Sequence, residues 1–308
     1  MNNITLRQLR YFETLARLGH FGRAAEVCAI SQPALSVQIK EMEEHLGTKL
    51  FERTSRHVRL TGIGAEVAAR AREILRSVDE LSDVVRAASD TLAGRLRIGV
   101  IPTIAPYLLP GVLSALGRTY PALDLHIRET ITPRLIEELG AGQLDAAIVA
   151  LPVSEPALTE MPLFEETMVL VRSRDAAGEP SPSRETLHQM RLLLLEEGHC
   201  FRDQALAFCN MPGSAGRDGM DGSTLSTLVQ MVGAGLGATF IPEMAVPVET
   251  RSADVAVTRL EDPQPTRTVG MIWRNSNPLA WQLERIAEVV RATGAPKPNR
   301  RAGRKRAG

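Results

Sequence analysis

Long apolar runs are missing from this 308-residue chain. No stretch approaches the roughly 18 residues that a membrane-spanning helix needs, which excludes a membrane protein. The opening residues Met1-Asn2-Asn3-Ile4-Thr5 lack a basic segment followed by an apolar one, so nothing there directs export and the cytoplasm is the expected compartment. Cysteine is scarce: Cys28, Cys200 and Cys209 are too few for a disulfide scaffold in a cytosolic chain of this size, and any bridge is expected to be transient and redox-sensing. Metal-ligand spacing is absent too, because His20, His45, His57, His126 and His188 stand singly and His199 adjoins Cys200. Gly233-Ala234-Gly235-Leu236-Gly237 follows a helical pattern and precedes a strand, the reverse of the order a dinucleotide loop requires. Neither a P-loop nor a Gly-x-Ser-x-Gly elbow occurs. We therefore expect no cofactor, no metal and no enzyme.

Net charge is also absent, yet the zero total hides an uneven distribution. Residues 1–60 carry nine Lys/Arg against six Asp/Glu, residues 91–290 carry 16 against 24, and residues 291–308 carry seven against none. A basic end on an acidic body is compatible with nucleic-acid binding, where a uniform pI near 7 argues against it.

At roughly 150 residues per domain the length implies two domains. Residues 5–90 read as nearly continuous helix, broken by a short stretch near 57–60, with Leu6, Leu9, Phe12 and Leu15 at helical spacing. From Arg95 the texture becomes apolar runs at 95–101, 123–129, 145–151, 167–172, 191–196, 238–241 and 268–274. These alternate with helical patterns at 106–118, 133–140, 184–190, 202–210, 224–235 and 279–293, which predicts an α/β layer with a largely parallel sheet. Crossovers at 164–167 and at Pro263-Gln264-Pro265-Thr266 divide this body into two lobes with a cleft between them, the default binding site of such a layout. The tail from Ala295 to Gly308, with five Lys/Arg packed into 300–306 and nothing apolar to bury, is expected to be disordered.

The most specific local signal lies in residues 19–60. Phe21-Gly22-Arg23-Ala24-Ala25-Glu26-Val27-Cys28 supplies a short helix with small residues for close packing, Ala29-Ile30 a turn, and Ser31 a cap for a second helix with Pro33 in its first turn. Leu35 and Ile39 face inward at i, i+4, leaving Gln32, Ser36 and Gln38 outward on a helix whose positive end suits phosphates. Beyond Leu46-Gly47, residues 49–60 form a wing with Arg53, Arg56 and Arg59. The motif resembles the DNA-binding domain of LysR-type transcriptional regulators, through Leu9-Arg10-Tyr11-Phe12, Phe21-Gly22-Arg23-Ala24-Ala25, Ser31-Gln32-Pro33-Ala34-Leu35-Ser36, Leu50-Phe51-Glu52-Arg53 and Leu60-Thr61.

That resemblance covers residues 4 to about 293. It implies an α/β fold with an N-terminal winged helix-turn-helix (1–60), a dimerisation and linker helix (61–93) and a two-lobed effector domain like periplasmic solute-binding proteins (94–294). Lobe I would comprise 94–166 and 267–294, lobe II 167–266, with the basic tail 295–308 outside the resemblance. It further implies that Gln32, Pro33, Ser36 and Gln38 lie near base edges while Arg53 and Arg56 approach the backbone of promoter DNA. The implied partners are RNA polymerase and further copies of the chain, as dimer or tetramer. Cys28 falls in an apolar phase of its helix and is expected to be a buried, inert thiol.

Cys200 follows a strand-like run and Gly198 at an expected helix start, beside His199 and Arg202. A helix N-terminus and a nearby cation both favour the thiolate, the form that attacks peroxide. Cys209 lies on the apolar Ala205-Leu206-Ala207-Phe208 stretch, as either a structural thiol or a resolving partner. Were 200–209 helical, the two Cα atoms would lie about 13.5 Å apart, against less than about 7 Å for a disulfide, so bridging would require unwinding. Thr103 and Thr132 sit after strands, where open α/β sheets bind ligands, although either residue type also caps helices.

Gly198-His199-Cys200-Phe201-Arg202-Asp203-Gln204-Ala205, Phe208-Cys209, Ile101-Pro102-Thr103 and Pro162-Leu163-Phe164 with Glu166 resemble OxyR, the peroxide-sensing branch of the LysR family. The resemblance implies that hydrogen peroxide oxidises Cys200 through a sulfenic acid to a Cys200–Cys209 disulfide, and that a glutaredoxin- or thioredoxin-type partner restores the thiols. It also implies that Thr103, Thr132, His199, Arg202 and Asp203 bind or activate peroxide. Thr130 competes with Thr132 for the pocket-facing role, and the glycine-rich loop 213–222 follows no pattern of the family. The rivals are a LysR regulator sensing a metabolite in the interlobe cleft and a thiol peroxidase using Cys200.

Overall fold

Thr5 opens the first helix, α1 (Leu6–Leu18), through a capping box: its side chain accepts from the Gln8 amide while the Gln8 side chain accepts from the Thr5 amide. The computed structural model describes residues 4–53, 58–87, 92–211 and 221–294, and the chain divides into two units, Met1–Ala88 and Ser89–Gly308.

In the first unit α2 (Phe21–Val27) is capped by His20, and α3 (Gln32–Leu46) by Ser31, whose Oγ accepts from the Ala34 amide at 3.3 Å. Ala29, at φ +52°, makes the turn between them. Leu35, Ile39 and Met42 are fully buried on one face of α3 and pack with Phe12 and Leu15. The hairpin of β1 (Phe51–Arg53) and β2 (Val58–Leu60) pairs Phe51 with Leu60, and the Phe51 ring meets Phe12 edge to face at 5.4 Å. The long helix α4 (Gly62–Ala87) follows. Cys28 departs from expectation: it ends α2 and is half-buried, because the C-cap position carries it to the rim of the core.

The second unit is a mixed sheet flanked by helices. Its first half interleaves β3 (Gly94–Val100), α5 (Ala105–Thr119), β4 (Leu123–Glu129), α6 (Thr132–Gly140) and β5 (Ala146–Leu151), with β3 parallel to both β4 and β5. The long strand β6 (Leu158–Ser173) then runs on through the expected crossover at 164–167. The second half holds α7 (Arg184–Gln189), β7 (Leu194–Leu195), α8 (Cys200–Phe208), β8 (Asp221–Gly222), α9 (Leu225–Gly233), β9 (Thr239–Pro242), α10 (Val246–Glu249) and β10 (Val255–Thr258), and the chain returns through β11 (Thr266–Arg274) and α11 (Ala280–Gly294).

The largely parallel sheet expected from strand–helix alternation is overturned. β11 is antiparallel to β5 and β6, and β9 and β10 are antiparallel to β6, because the chain crosses between halves twice and enters each crossover strand from the opposite end. The 191–196 run is a strand only at Leu194–Leu195, with Leu192 bridging to Ala238. A separate core of Leu, Val, Phe201, Phe240 and Cys209 fills the second half. Among the described residues no helix is long and apolar enough to cross a membrane. The tail from 295 and most of the 213–222 loop lie outside the described residues.

Glu43, 2% exposed, joins α3 to the wing: its carboxylate accepts from the Leu50 amide at 2.9 Å and the Phe51 amide at 3.2 Å and pairs with Lys49 at 2.9 Å. Burial by itself raises its pKa, but Lys49 and the two amides outweigh burial and hold it below the ordinary carboxylate value. The stabilisation is therefore fully present above the unfolded pKa and is lost as pH falls through the lower folded one. We predict that Glu43→Ala, which leaves two buried amides unpaired, destabilises this unit by about 2–4 kcal/mol and flattens the acid limb of its stability profile. Urea melts from pH 3 to 7, read with hydrogen exchange at Leu50 and Phe51, check both.

Candidate functional site

Gly198, at φ +93°, turns the chain out of β7 into α8, a conformation that side-chain-bearing residues rarely adopt. His199 becomes the N-cap of α8 without a side-chain cap bond, and Cys200 becomes its first residue. The helix N-terminus therefore points its unpaired amides at the Cys200 end. Cys209 is the C-cap of the same helix. Both thiols are free, Cys200 half-buried and Cys209 fully buried, and the length of α8 separates them by about 13.5 Å at 1.5 Å per residue. Burial pushes the Cys209 thiol up to about 11, against the opposing pull of the Arg184 charge.

Cys200 faces two spaces. A tight pocket, closed to a water-sized molecule in this structure, is walled by Ile101, Pro102, Thr103, Ile131, Thr132, His199, Cys200 and Phe201. A larger cavity of about 400 Å³ is lined by Thr132, Pro133, Ile136, Glu155, Asp203 and Cys200 among others. Thr103 follows β3 and Thr132 opens α6 after β4, so both hydroxyls stand at the carboxyl ends of parallel strands. Thr132, not Thr130, lines both spaces. Its Oγ1 is buried with no hydrogen-bond partner among the described residues. An unsatisfied hydroxyl of this kind costs free energy unless something small and polar meets it.

Thr103 is held differently. Arg267 Nη1 donates to Thr103 Oγ1 at 2.8 Å and Nη2 to the Thr103 carbonyl at 3.0 Å, while Nε donates to Glu166 at 2.8 Å. Because Thr103 Oγ1 accepts from a guanidinium, its own proton is left to donate into the pocket. The Arg267 side chain is fully buried, pairs with Glu166 at 2.7 Å, and lies 5.2 Å from the centroid of the Phe201 ring. Sequence reading missed Arg267. The available signal was a charged residue inside the β11 apolar run, about a hundred positions from its partner.

Two expected contributors to thiolate formation are corrected. Burial lowers the His199 pKa, with Glu196 opposing, which biases the imidazole beside Cys200 toward its neutral form. Arg202 is two positions past Cys200 and hence on another face of α8. It is buried, donates to the Leu195 carbonyl at 2.9 Å and pairs with Asp221 at 3.1 Å, so its charge is directed at the β7–β8 side. Asp203, one turn from Cys200, lines the larger cavity. Among the described residues no group of three or more His, Cys, Asp or Glu is placed to hold a metal ion.

On α3, Gln32 and Pro33 are exposed, Ser36 and Gln38 half-buried, and Gln38 donates to Glu41 at 2.8 Å. Val37, passed over in the sequence, is 53% exposed at the centre of the face opposite Leu35 and Ile39. The backbone of Arg53 lies in β1, whereas Arg56 falls outside the described residues. The Glu166–Arg267 pair generates a prediction. Arg267→Gln strands a buried carboxylate and destabilises the second unit by about 3–5 kcal/mol, whereas Arg267→Met combined with Glu166→Leu recovers most of that loss; thermal melts of the two variants discriminate.

Comparison with known proteins places this geometry in a family. Residues 6–65 match the bacterial regulatory helix-turn-helix protein model of the lysR family, and residues 89–295 match the LysR substrate binding domain. The DNA-binding transcriptional dual regulator OxyR of Escherichia coli strain K12 is 40% identical over 294 residues, covering 94% of this chain and 95% of that protein. Among solved structures, a full-length Pseudomonas aeruginosa OxyR with a cysteine-to-aspartate substitution aligns with TM-score 0.75 at 37% identity, covering 96% of this chain and 99% of that one. A hydrogen peroxide-bound Corynebacterium glutamicum OxyR with a cysteine-to-serine substitution aligns with TM-score 0.66 at 35% identity, covering 94% and 92%. The chain belongs to the LysR family of bacterial helix-turn-helix transcription regulators, within its OxyR branch.

Proposed function

We propose that this peroxide-sensing transcription regulator is switched by a reversible disulfide between Cys200 and Cys209. The observation that carries the reading is the tight pocket that brings the Cys200 thiol together with Thr103 and the unpartnered Thr132 Oγ1. Two hydroxyls there offer donors and acceptors of the kind a small polar molecule such as hydrogen peroxide would use once the walls part to admit it. The Cys200 thiolate attacks one peroxide oxygen: the S–O bond forms, the O–O bond breaks, and hydroxide leaves to be protonated to water. The Cys209 thiolate then attacks the sulfenic sulfur, the S–S bond forms, the S–O bond breaks, and a second hydroxide leaves. Two electrons pass from the thiols to peroxide. A dithiol of the glutaredoxin or thioredoxin type returns them by exchange. Because α8 holds the thiols a helix length apart, the second step demands that α8 unwind, and this converts a local oxidation into a change of the second unit.

In this reading Thr103, Thr132 and His199 bind peroxide. Asp203 faces its access cavity, and Arg202 anchors α8 rather than activating Cys200. Residues 1–60 bind promoter DNA in the cytoplasm, with Gln32, Pro33, Ser36 and Gln38 near base edges and Arg53 and Arg56 toward phosphates. Residues 61–93 join copies of the chain into a dimer or tetramer, and the oxidised form activates transcription with RNA polymerase. The 94–294 region senses, its lobes being 94–166 with 267–294, and 167–266. The larger cavity beside Cys200 favours one second reading, a metabolite sensor with incidental cysteines.

Mass spectrometry of the alkylated protein before and after brief, near-stoichiometric peroxide tests the proposal. We expect a rapid Cys200–Cys209 disulfide, none in Cys200→Ser, and a trapped sulfenic acid in Cys209→Ser. Thr132→Val removes one hydrogen-bonding group and is expected to slow Cys200 oxidation roughly tenfold. Thiols that stay alkylatable in the wild-type chain would sink the disulfide reading and leave the metabolite sensor.

A further inference from the structure

α8 ends on Phe208, one residue before Cys209. The Phe208 ring is held from two sides. The guanidinium carbon of Arg184 lies 4.5 Å from its centroid, and Phe240 of β9 meets it edge to face with centroids 6.0 Å apart and planes at 76°. Phe240 is 2% exposed within the core of the second half, so it forms a fixed wall. Arg184 is the exposed first residue of α7, whose N-terminus is fixed by Ser183 Oγ accepting from the Thr186 amide at 3.3 Å. Its guanidinium therefore covers the ring from the solvent side.

We propose that Arg184 and Phe208 form a latch on the C-terminal end of α8, and that Arg184 is a positioning residue which sets how readily Cys209 leaves its site to meet oxidised Cys200. The inference rests on the disulfide reading above. Cys200 and Cys209 cannot be bridged while α8 is helical, because a disulfide needs Cα atoms within about 7 Å. In the proposed movement Cys200 keeps its place beside the pocket and the Cys209 end of α8 comes out to meet it. Phe208 and Cys209 are consecutive, and the Cys209 sulfur cannot travel that far without drawing the ring from between Arg184 and Phe240. Cation–π and edge-to-face aromatic contacts thus stabilise the dithiol form and are absent once the segment has unwound. The first oxidation step, at the opposite end of α8, is independent of them. Once released into water Cys209 regains ordinary acidity, so Arg184 acts by holding the helix end and is not needed to ionise the thiol that closes the bond.

The test uses the full-length chain and three variants: Phe208→Leu, Arg184→Gln and Arg184→Lys. Arg184 is exposed and Phe208→Leu keeps an apolar side chain of similar size, so all three are expected to fold. Cys200 sulfenic acid is followed with a dimedone-type probe. Disulfide closure is followed by loss of alkylatable Cys209, with peroxide raised until closure limits the reaction. The dithiol–disulfide equilibrium is measured by titration against glutathione. The sulfenic acid step is expected to be unchanged in every variant. Closure is expected to be roughly tenfold faster in Phe208→Leu and roughly threefold faster in Arg184→Gln, as loss of contacts of this class implies, and near the wild-type rate in Arg184→Lys, which restores the cation. The equilibrium is expected to shift toward disulfide by the same factors, about 30 mV for the tenfold case. Equal closure rates and equal potentials in wild type, Phe208→Leu and Arg184→Gln would overturn the latch while leaving the disulfide switch standing. A sulfenic acid step altered in parallel with closure would overturn it too. A wild-type chain that forms the sulfenic acid and never closes would overturn the switch and the latch together.

Discussion

The second unit is organised around one buried ion pair. Glu166 on β6 and Arg267 on β11 are cross-strand partners at the point where β6 leaves the first half of the sheet for the second. A buried pair repays its desolvation only when its remaining donors and acceptors are met, and here they are. Arg267 reaches Thr103 on the loop after β3, and Glu166 accepts from the Met244 amide at 3.1 Å. One guanidinium thus fixes the relative position of β3, β6 and β11 and the orientation of the Thr103 hydroxyl. The Phe201 ring beside it fixes the first turn of α8. The reactive thiol is placed by charge that does not itself touch the chemistry.

The chemistry needs opposite environments for two thiols nine residues apart. Cys200 occupies a helix N-terminus, half-buried at the edge of a pocket that also holds the Thr103 and Thr132 side chains. Cys209 is sealed among Leu, Val and Phe side chains at the other end, where burial pushes its pKa up to about 11. A short helix supplies both environments at once, and in the proposed switch its length is what keeps the second thiol from reacting until the helix opens. On that proposal the apolar packing around Cys209 is part of the switch's threshold as well as part of the core. The Arg184–Phe208–Phe240 contacts belong to the same account.

In the first unit Glu43 serves a comparable purpose with a single carboxylate. It meets two amides of the wing from within α3, so the surface helix and the hairpin keep a defined relation. The inward row of Leu35, Ile39 and Met42 leaves Pro33 and Val37 outward, giving the exposed face of α3 an apolar centre with polar flanks.

Much of this was legible in the chain. Capping residues, i, i+4 apolar pairs and Pro33 located α2 and α3, because those signals act within one or two turns. Strand and helix alternation located β3 to β5, β9, β11 and the main helices of the α/β unit but not β8, β10, α10 or the first half of β6, and α8 fell almost where the apolar stretch before Cys209 suggested. The parallel sheet was misread because strand direction depends on which half the chain re-enters, a property of its path that no local pattern encodes. The charge assigned to His199 and Arg202 was misread for a similar reason: adjacency along the chain does not say which way a helical side chain points, nor how deeply a ring is buried. By itself the sequence determined the helix-turn-helix and the alternation of strands and helices after it, since these follow from local propensity and side-chain chemistry. The tertiary structure alone decided that Thr132 rather than Thr130 faces the pocket, that Arg267 orients Thr103 from 164 residues away, and that Phe208 is held between Arg184 and Phe240, since long-range pairing exists only after the chain has folded.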